Sequence, residues 1–512
     1  MSRRDGLAEA LLAGAAATLY LSFPTRLFVF EGLARAMPID AGLFSEVFKG
    51  NYLLYGFAGW CFHHLVTLLG ARASAVFSLQ IMDCLIGGAG VGVFYLTLRR
   101  LALPRAAAAA WSAVLAVSCA YWLWSTDAQN YIFSAFLLGL NFHFIARDAS
   151  GERVPPWALG ALHGLAILGH IVNGIFGLAG LAYLRARHGK SWAKPALQYA
   201  AASAAVAAGA YALVLLLIVR PESASAALHW FWGSLNRGRG GLRWHGQYDL
   251  ESLRLWLKTS ANVLAAFPAE YRRAQGGAGA QALLAAARGL ALAFAVKLAL
   301  SARAITGARR RVALFCASWL AVYAAIFISW EPMTMVYRVS DLFPALALLA
   351  LGAETAGSSR RWGLAAAGLA LCLGLGNFLA EVRPRALAEN NVLLMRMRFV
   401  RASTPEESWV ATPESQGGGE ELYLPYFAER RPILLSVYRN QPEVLSRKLD
   451  AALAHGEPVF VTTPVLADDF WRGFFAAYRP ERAADDGEGF ELYRLEPPTA
   501  RLPGARRRPS RS

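Results

Sequence analysis

Acid is scarce in this chain of 512 residues, which carries 35 Asp and Glu against 51 Lys and Arg, with only 17% of its residues charged and 56% hydrophobic. That balance excludes an acidic, disordered, solvating chain. Cysteine is equally sparse. Cys61, Cys84, Cys119, Cys316 and Cys372 stand singly inside apolar runs, with no spacing that suits a disulfide framework or a metal site, so they read as small buried side chains. No GxxxxGK[ST], GxGxxG or HExxH pattern occurs, and no internal repeat is visible. Nucleotide-driven transport and zinc-protease chemistry therefore have no anchor in the sequence.

What the chain does have is a succession of apolar blocks of roughly 20 residues separated by short basic clusters, the spacing that crossing a bilayer requires. The predicted fold class is a mainly α, polytopic membrane protein. The first block, Leu7 to Phe23, follows Ser2-Arg3-Arg4 and reads as a signal anchor, because similar blocks recur to about residue 380. The net charge of +16 sits mostly in short loops between spans, so it is orientation charge. No nucleic-acid partner is expected.

About 11 transmembrane helices are predicted, near residues 7–28, 74–98, 106–124, 129–146, 156–169, 171–184, 195–219, 281–301, 312–330, 342–351 and 362–380. With a cytoplasmic N-terminus, Arg99/Arg100/Arg105, Arg147/Arg153, Arg185/Arg187/Lys190/Lys194, Arg303/Arg309/Arg310/Arg311 and Arg360/Arg361 all fall inside. This holds if Tyr52–Gly70, with its aromatics and His63-His64, lies in the interface or re-enters it. Counted as a span, it would invert every later loop.

The domain reading follows. Residues 1–380 form the transmembrane domain, with a first external loop at 31–73 and a long external loop at 220–280. Residues 381–499 change to the composition of a soluble α/β domain on the external face. Strands are expected at Trp409–Thr412, Pro432–Leu435, Pro458–Thr462 and Phe490–Leu495, and helices at Gln441–His455 and Asp468–Tyr478. The Arg- and Pro-rich tail 500–512 is expected to be disordered.

In this arrangement nearly all the chemically interesting residues share the external face. Glu31, Asp40 and Asp127 are candidate bases. Arg338, His170, Arg220 and the cluster Arg237/Arg239/Arg243 are candidate phosphate contacts, with Tyr337, Asn173, Trp244 and His245 alongside. A base facing cations is what transfer of a sugar from a polyprenyl-phosphate donor needs: the base deprotonates the acceptor and the cations hold the departing phosphate. Each residue also has a plainer reading. Glu31 can pair with Arg35 one turn on, Asp40 is well placed to cap the stretch Ala41 to Phe48, Asp127 to cap the span that starts near Gln129, and Arg338 to pair with Asp341. Asp83, inside a span, is expected to bond to a neighbouring helix.

A first span followed by an acidic external loop, an interfacial helix, a span ending Leu98-Arg99-Arg100-Leu101 and then Trp124-Ser125-Thr126-Asp127 resembles the GT-C superfamily of integral-membrane glycosyltransferases. The protein O-mannosyltransferase-like branch looks nearest, through Leu165–Asn173 and Glu421–Phe427. The resemblance implies a polyprenyl-phosphate-sugar donor, inverting transfer on the non-cytoplasmic face, and an acid of the first external loop as base, here Glu31 first and Asp40 second. Such proteins usually carry an adjacent acid pair in that loop. This chain has none, which leaves open a divalent metal cofactor and a catalytically inactive scaffold; a lipid or glycan transporter is disfavoured because the ionisable residues gather at one face. Ala- and Arg-rich usage suggests a high-GC bacterium, hence the inner membrane with the C-terminal domain in the periplasm.

Overall fold

The protein is described by a computed structural model covering residues 3–236, 248–266, 277–355, 359–413 and 419–497. The chain divides into two compact units, Met1–Leu387 and Ala388–Ser512.

The first unit is helical and built around the helix Ala75–Arg100, which packs against Arg3–Ser22, Leu53–Leu68, Arg105–Val117, Cys119–Ser125 and Asn130–Ala149. Glycine makes this possible. A Cβ on Gly88 would lie 2.6 Å from the Ala13 carbonyl oxygen and 2.8 Å from the Ala17 Cβ, so only a bare backbone lets the two helices meet that closely. The apolar window of Ala75–Arg100 is 67% buried, whereas that of Ala193–Val219 is 11% buried and turns leucines such as Leu213, Leu216 and Leu217 outward. The first is a hub, and the second presents the apolar face a lipid-facing helix needs.

Among the described residues, six helices are long and apolar enough to cross a membrane, or seven if the pair Arg105–Val117 and Cys119–Ser125, bent by 64°, is one span. Leu53–Leu68 and Pro156–Gly169 are shorter apolar helices of 16 and 14 residues. At 1.5 Å per residue each falls short of a hydrocarbon core of about 30 Å. The chain is a multi-pass membrane protein.

The unit is polarised. At one end the buried Asp5 carboxylate accepts from Arg99 Nε at 3.1 Å and Arg105 Nε at 2.8 Å, tying the start of the first helix to the first basic loop. Arg309 donates to Leu101 O and Arg311 to Ala149 O, both at 2.9 Å, so three of the predicted basic clusters meet at this end. The acidic loop lies at the other end of the helix Ala75–Arg100, where Asp40 Oδ1 accepts from Ala75 N at 2.8 Å.

The second unit holds a five-stranded sheet: β1 Trp409–Thr412, β2 Arg431–Leu434, β3 Val459–Thr462, β4 Pro480–Asp485 and β5 Glu491–Leu495, in the order β2-β1-β3-β5-β4. β1 runs parallel to β2 and β3, and β5 runs antiparallel to β3 and β4. The helix Pro442–Ala454 puts Leu445, Leu449 and Ala452 into a core with Trp471, Phe475, Val459 and Val461. The small α/β domain and four of its strands follow the sequence reading. β4 is additional: its residues are mostly exposed and it opens with a proline, so as an edge strand it shows no apolar alternation.

Candidate functional site

Glu31 lies in the first turn of the helix Phe30–Asp40, with a side chain 40% exposed. One turn on, the buried Arg35 reaches back to Glu31 Oε2 at 3.6 Å and donates through Nη2 to Asn130 Oδ1 at 3.1 Å. Its guanidinium lies 3.3 Å from the centre of the Tyr52 ring, and its buried Nε has no hydrogen-bond partner among the described residues. A guanidinium held this way is aimed by its surroundings and keeps a donor in reserve.

Asp127 sits in the tight loop between Cys119–Ser125 and Asn130–Ala149, 3% exposed. Its carboxylate accepts from Ala128 N at 2.9 Å and from Gln129 Nε2 at 3.3 Å. Burial pushes the carboxyl up to about 7; the negative charge of Glu31 adds to this, while the Ala128 N–H and the Arg385 guanidinium oppose it. Glu31 and Asp127 are therefore electrostatic neighbours although 96 positions separate them. Gly32 allows the approach, since a Cβ there would lie 2.7 Å from the Ala128 carbonyl oxygen. Gly32→Ala would ordinarily favour a helix by about 1 kcal/mol. Here it is expected to push the helix Phe30–Asp40 off the Ala128 carbonyl and lower the thermal midpoint by several degrees. Thermal unfolding of the variant checks this, and an unchanged midpoint would show that the contact does not matter.

Beside the acids lies a small pocket lined by Tyr131, Ser134, His170, Val172, Asn173, Tyr323, Tyr337 and Ser340, among others. Two turns build it. His170 ends the helix Pro156–Gly169 with an extended backbone, and its Nδ1 accepts from Val172 N at 3.2 Å. Ile171 N donates to Asn51 O at 2.9 Å, which docks this turn on the end of the first external loop. Burial, with the positive charge of Arg35, pushes the His170 imidazole down to about 3. His170 is thus neutral at physiological pH and offers an Nε2–H where the sequence reading expected a cation. Asn173 forms the floor, donating to Ser134 Oγ at 2.6 Å and Ala166 O at 2.8 Å and accepting from Tyr323 OH at 3.3 Å. The Tyr131 and Tyr337 rings meet edge to face, 5.6 Å between centres, on the pocket lining.

Arg338 is 4% exposed and its Nε donates to Asp341 at 2.5 Å, the plainer pairing that the sequence also allowed. Its guanidinium lies 4.6 Å from the Trp256 ring centre, and its Nη1 is buried with no hydrogen-bond partner among the described residues.

Other candidates fall elsewhere. Asp40 ends the helix Phe30–Asp40; it does not cap Ala41 to Phe48, which forms only the short turn Phe44–Val47. Its carboxylate instead holds the first turn of Ala75–Arg100. Arg220 is exposed and closes the end of its own helix, donating to Leu217 O at 3.0 Å. His63 meets Ser78 Oγ at 3.0 Å, and His64 meets the Trp60 carbonyl of its own helix at 2.9 Å. Arg237, Arg239, Arg243, Trp244 and His245 lie outside the described residues. Arg35, Tyr131, Ser134 and Tyr323 were not among the site residues read from the sequence. Only Arg35 gave a signal, its i,i+4 spacing from Glu31. Among the described residues no group of three or more His, Cys, Asp or Glu side chains could hold a metal ion.

Neither a known protein family nor a characterised protein matches the chain by sequence. Solved structures do match its fold. The chain is similar to ArnT from Cupriavidus metallidurans bound to undecaprenyl phosphate, with a TM-score of 0.66 at 15% identity over 97% of this chain and 98% of that one. The apo state of the same protein gives a TM-score of 0.66 at 14% identity over 96% and 98%. The likeness bears out the GT-C-type architecture expected from the sequence; it is a likeness of fold, and it does not single out the O-mannosyltransferase-like branch.

Proposed function

We propose that the chain is a membrane glycosyltransferase that moves a sugar from a polyprenyl-phosphate-linked donor to an envelope acceptor on the periplasmic face of a bacterial inner membrane. The observation that carries this reading is the close approach of the Glu31 and Asp127 segments, through Gly32 and the Ala128 carbonyl, beside the buried Arg35 and an aromatic-walled polar pocket. The fold it shares with a protein bound to undecaprenyl phosphate supports a polyprenyl-phosphate partner.

Glu31 is the base, because it is the acid that bulk substrate can reach. It takes the proton of an acceptor hydroxyl as that oxygen bonds to the anomeric carbon. The bond from that carbon to the phosphate oxygen breaks, and the electron pair leaves with the polyprenyl phosphate, inverting the anomeric centre. Arg35, and the spare Nη1 of Arg338, stabilise the charge growing on the phosphate. Neutral His170 and the polar floor at Asn173 and Ser134 hold sugar hydroxyls, and the Tyr131 and Tyr337 rings line the way in.

Purified protein, its Glu31→Gln variant and a panel of polyprenyl-phosphate sugars test the reading. Labelled sugar passing to a membrane extract with the wild type alone would support it. Absence of both transfer and donor binding for every donor would overturn it in favour of a scaffold.

A pH effect follows from Asp127. Its carboxyl is neutral below about 7 and anionic above, and the ionised form adds a second negative charge near the donor phosphate. A phosphodiester donor keeps one charge across this range. Its affinity is therefore expected to weaken several-fold from pH 6 to pH 8, a Coulomb effect on the order of 1 kcal/mol. Asp127→Asn should hold the low-pH affinity throughout. A binding titration at both pH values decides, and a pH-independent wild type would remove Asp127 from the site.

A further inference from the structure

The Glu31–Asp127 pair needs something to hold the second loop at a fixed height against the first, and the helix Ala75–Arg100 carries polar side chains where a lipid-buried helix would be expected to have none. Gln80 Nε2 donates to Thr25 O at 2.8 Å and to Thr126 O at 3.1 Å, so one side chain bridges the entry to the acidic loop and the residue before Asp127. One turn on, Asp83 Oδ2 accepts from Gln129 N at 2.9 Å and from Tyr55 OH at 2.8 Å. Gln129 in turn donates its side-chain amide to Asp127, and Tyr55 stands 5.7 Å from the Arg35 guanidinium. One turn further, a Cβ on Gly87 would lie 2.3 Å from Ser125 Oγ, so the helix presses directly on the start of the same loop.

Positions 80, 83 and 87 follow the i, i+3, i+7 spacing of a single helix face. That face meets residues 125–129 at all three positions, with the Thr25 carbonyl and the Tyr55 and Tyr121 hydroxyls as its other polar contacts. The arrangement is costly: Asp83 is fully buried, and its Oδ1 has no hydrogen-bond partner among the described residues, nor has Gln80 Oε1. Leucines would pack this helix at less expense.

We propose that Gln80 and Asp83 are positioning residues that clamp the 125–129 loop to the hub helix and so set where Asp127 stands relative to Glu31 and Arg35. The inference rests on the reading of Glu31 and Asp127 as the working acids. Asp83 touches no substrate: it acts through Gln129 and Tyr55.

The test uses full-length protein in detergent, with hydrogen exchange of the 125–131 segment as a readout that needs no substrate. Asp83→Leu removes the acceptor for the Gln129 N–H and the Tyr55 O–H. Asp83→Asn keeps it, because one amide oxygen accepts both. The expected result is exchange at 125–131 at least tenfold faster in Asp83→Leu, with the rest of the first unit unchanged, and exchange close to wild type in Asp83→Asn. Transfer should follow the same order, with kcat falling roughly tenfold or more in Asp83→Leu while the donor KM moves little. Unchanged exchange at 125–131 would overturn the clamp. So would faster exchange across the whole unit, which would make Asp83 a general structural residue. If the loop responds as expected but the wild type transfers no sugar from any donor, the glycosyltransferase reading fails and the clamp stands.

Discussion

Glu31→Gln is expected to lower kcat by roughly 10²–10⁴-fold, the range a positioned general base contributes. Insertion in the membrane and thermal unfolding should stay near wild type. The stability expectation follows from exposure: the Glu31 side chain is 40% exposed and lies 3.6 Å from Arg35, a partly solvated pair worth about 0–1 kcal/mol. Glutamine keeps the size and loses the proton acceptor. Single-turnover transfer with preloaded donor separates chemistry from binding. A variant that binds donor normally and fails to turn over would assign the base. A variant with full activity would shift that role to Asp127, and Asp127→Asn would then show the larger loss.

Arg35→Met is expected to cost about 10²–10³-fold in kcat/KM, comparable to the loss of one preorganised donor to a developing anion. Arg35 is 5% exposed and ringed by Tyr52, Tyr55, Asn130 and Glu31, so its removal also leaves Asn130 Oδ1 without its donor. The stability change is the difference of two terms, a buried charge removed and a buried acceptor orphaned, each of a few kcal/mol. Stability is therefore expected to move much less than activity. Arg35→Lys keeps the charge and loses the planar fork, so it should recover only part of the rate. Donor affinity by titration, beside steady-state rates, checks the pair of variants. Wild-type affinity in Arg35→Met would place the phosphate elsewhere, with Arg338 the next cation to test.

Much of this was legible in the sequence. Apolar runs of bilayer length, basic loops at alternate turns and the change of composition after Ala380 foretold a polytopic helical unit followed by a small α/β domain. Each of those signals is local, a matter of which residues can face lipid and which cannot. Glu31, Asp127, His170 and Arg338 were singled out because a carboxylate, imidazole or guanidinium at the end of a span is expensive unless it is used, with Asn173 and Tyr337 named as their neighbours. The structure gathers Glu31 and Asp127 at one place, with His170, Asn173 and Tyr337 lining the pocket beside them. Asp40 was misjudged for a definite reason. Its sequence surroundings suit a local N-cap, and the helix it caps begins 35 residues later.

What the sequence by itself determined is the class of the molecule and the list of costly polar groups at its membrane surfaces, because hydropathy and charge act residue by residue. The tertiary structure alone decided how those groups combine. The chain has no two adjacent acids in its first external loop, yet the fold brings Glu31 and Asp127 within electrostatic reach: Gly32 lets the helix Phe30–Asp40 lie on the Ala128 carbonyl, and Gln80 and Asp83 hold the second loop. It decided the charge states as well, leaving His170 neutral and Asp127 near the midpoint of its titration. Both outcomes depend on desolvation and on partners far away in the sequence, Arg35 for His170 and Glu31 and Arg385 for Asp127. Neither desolvation nor such a partner exists until the helices have packed.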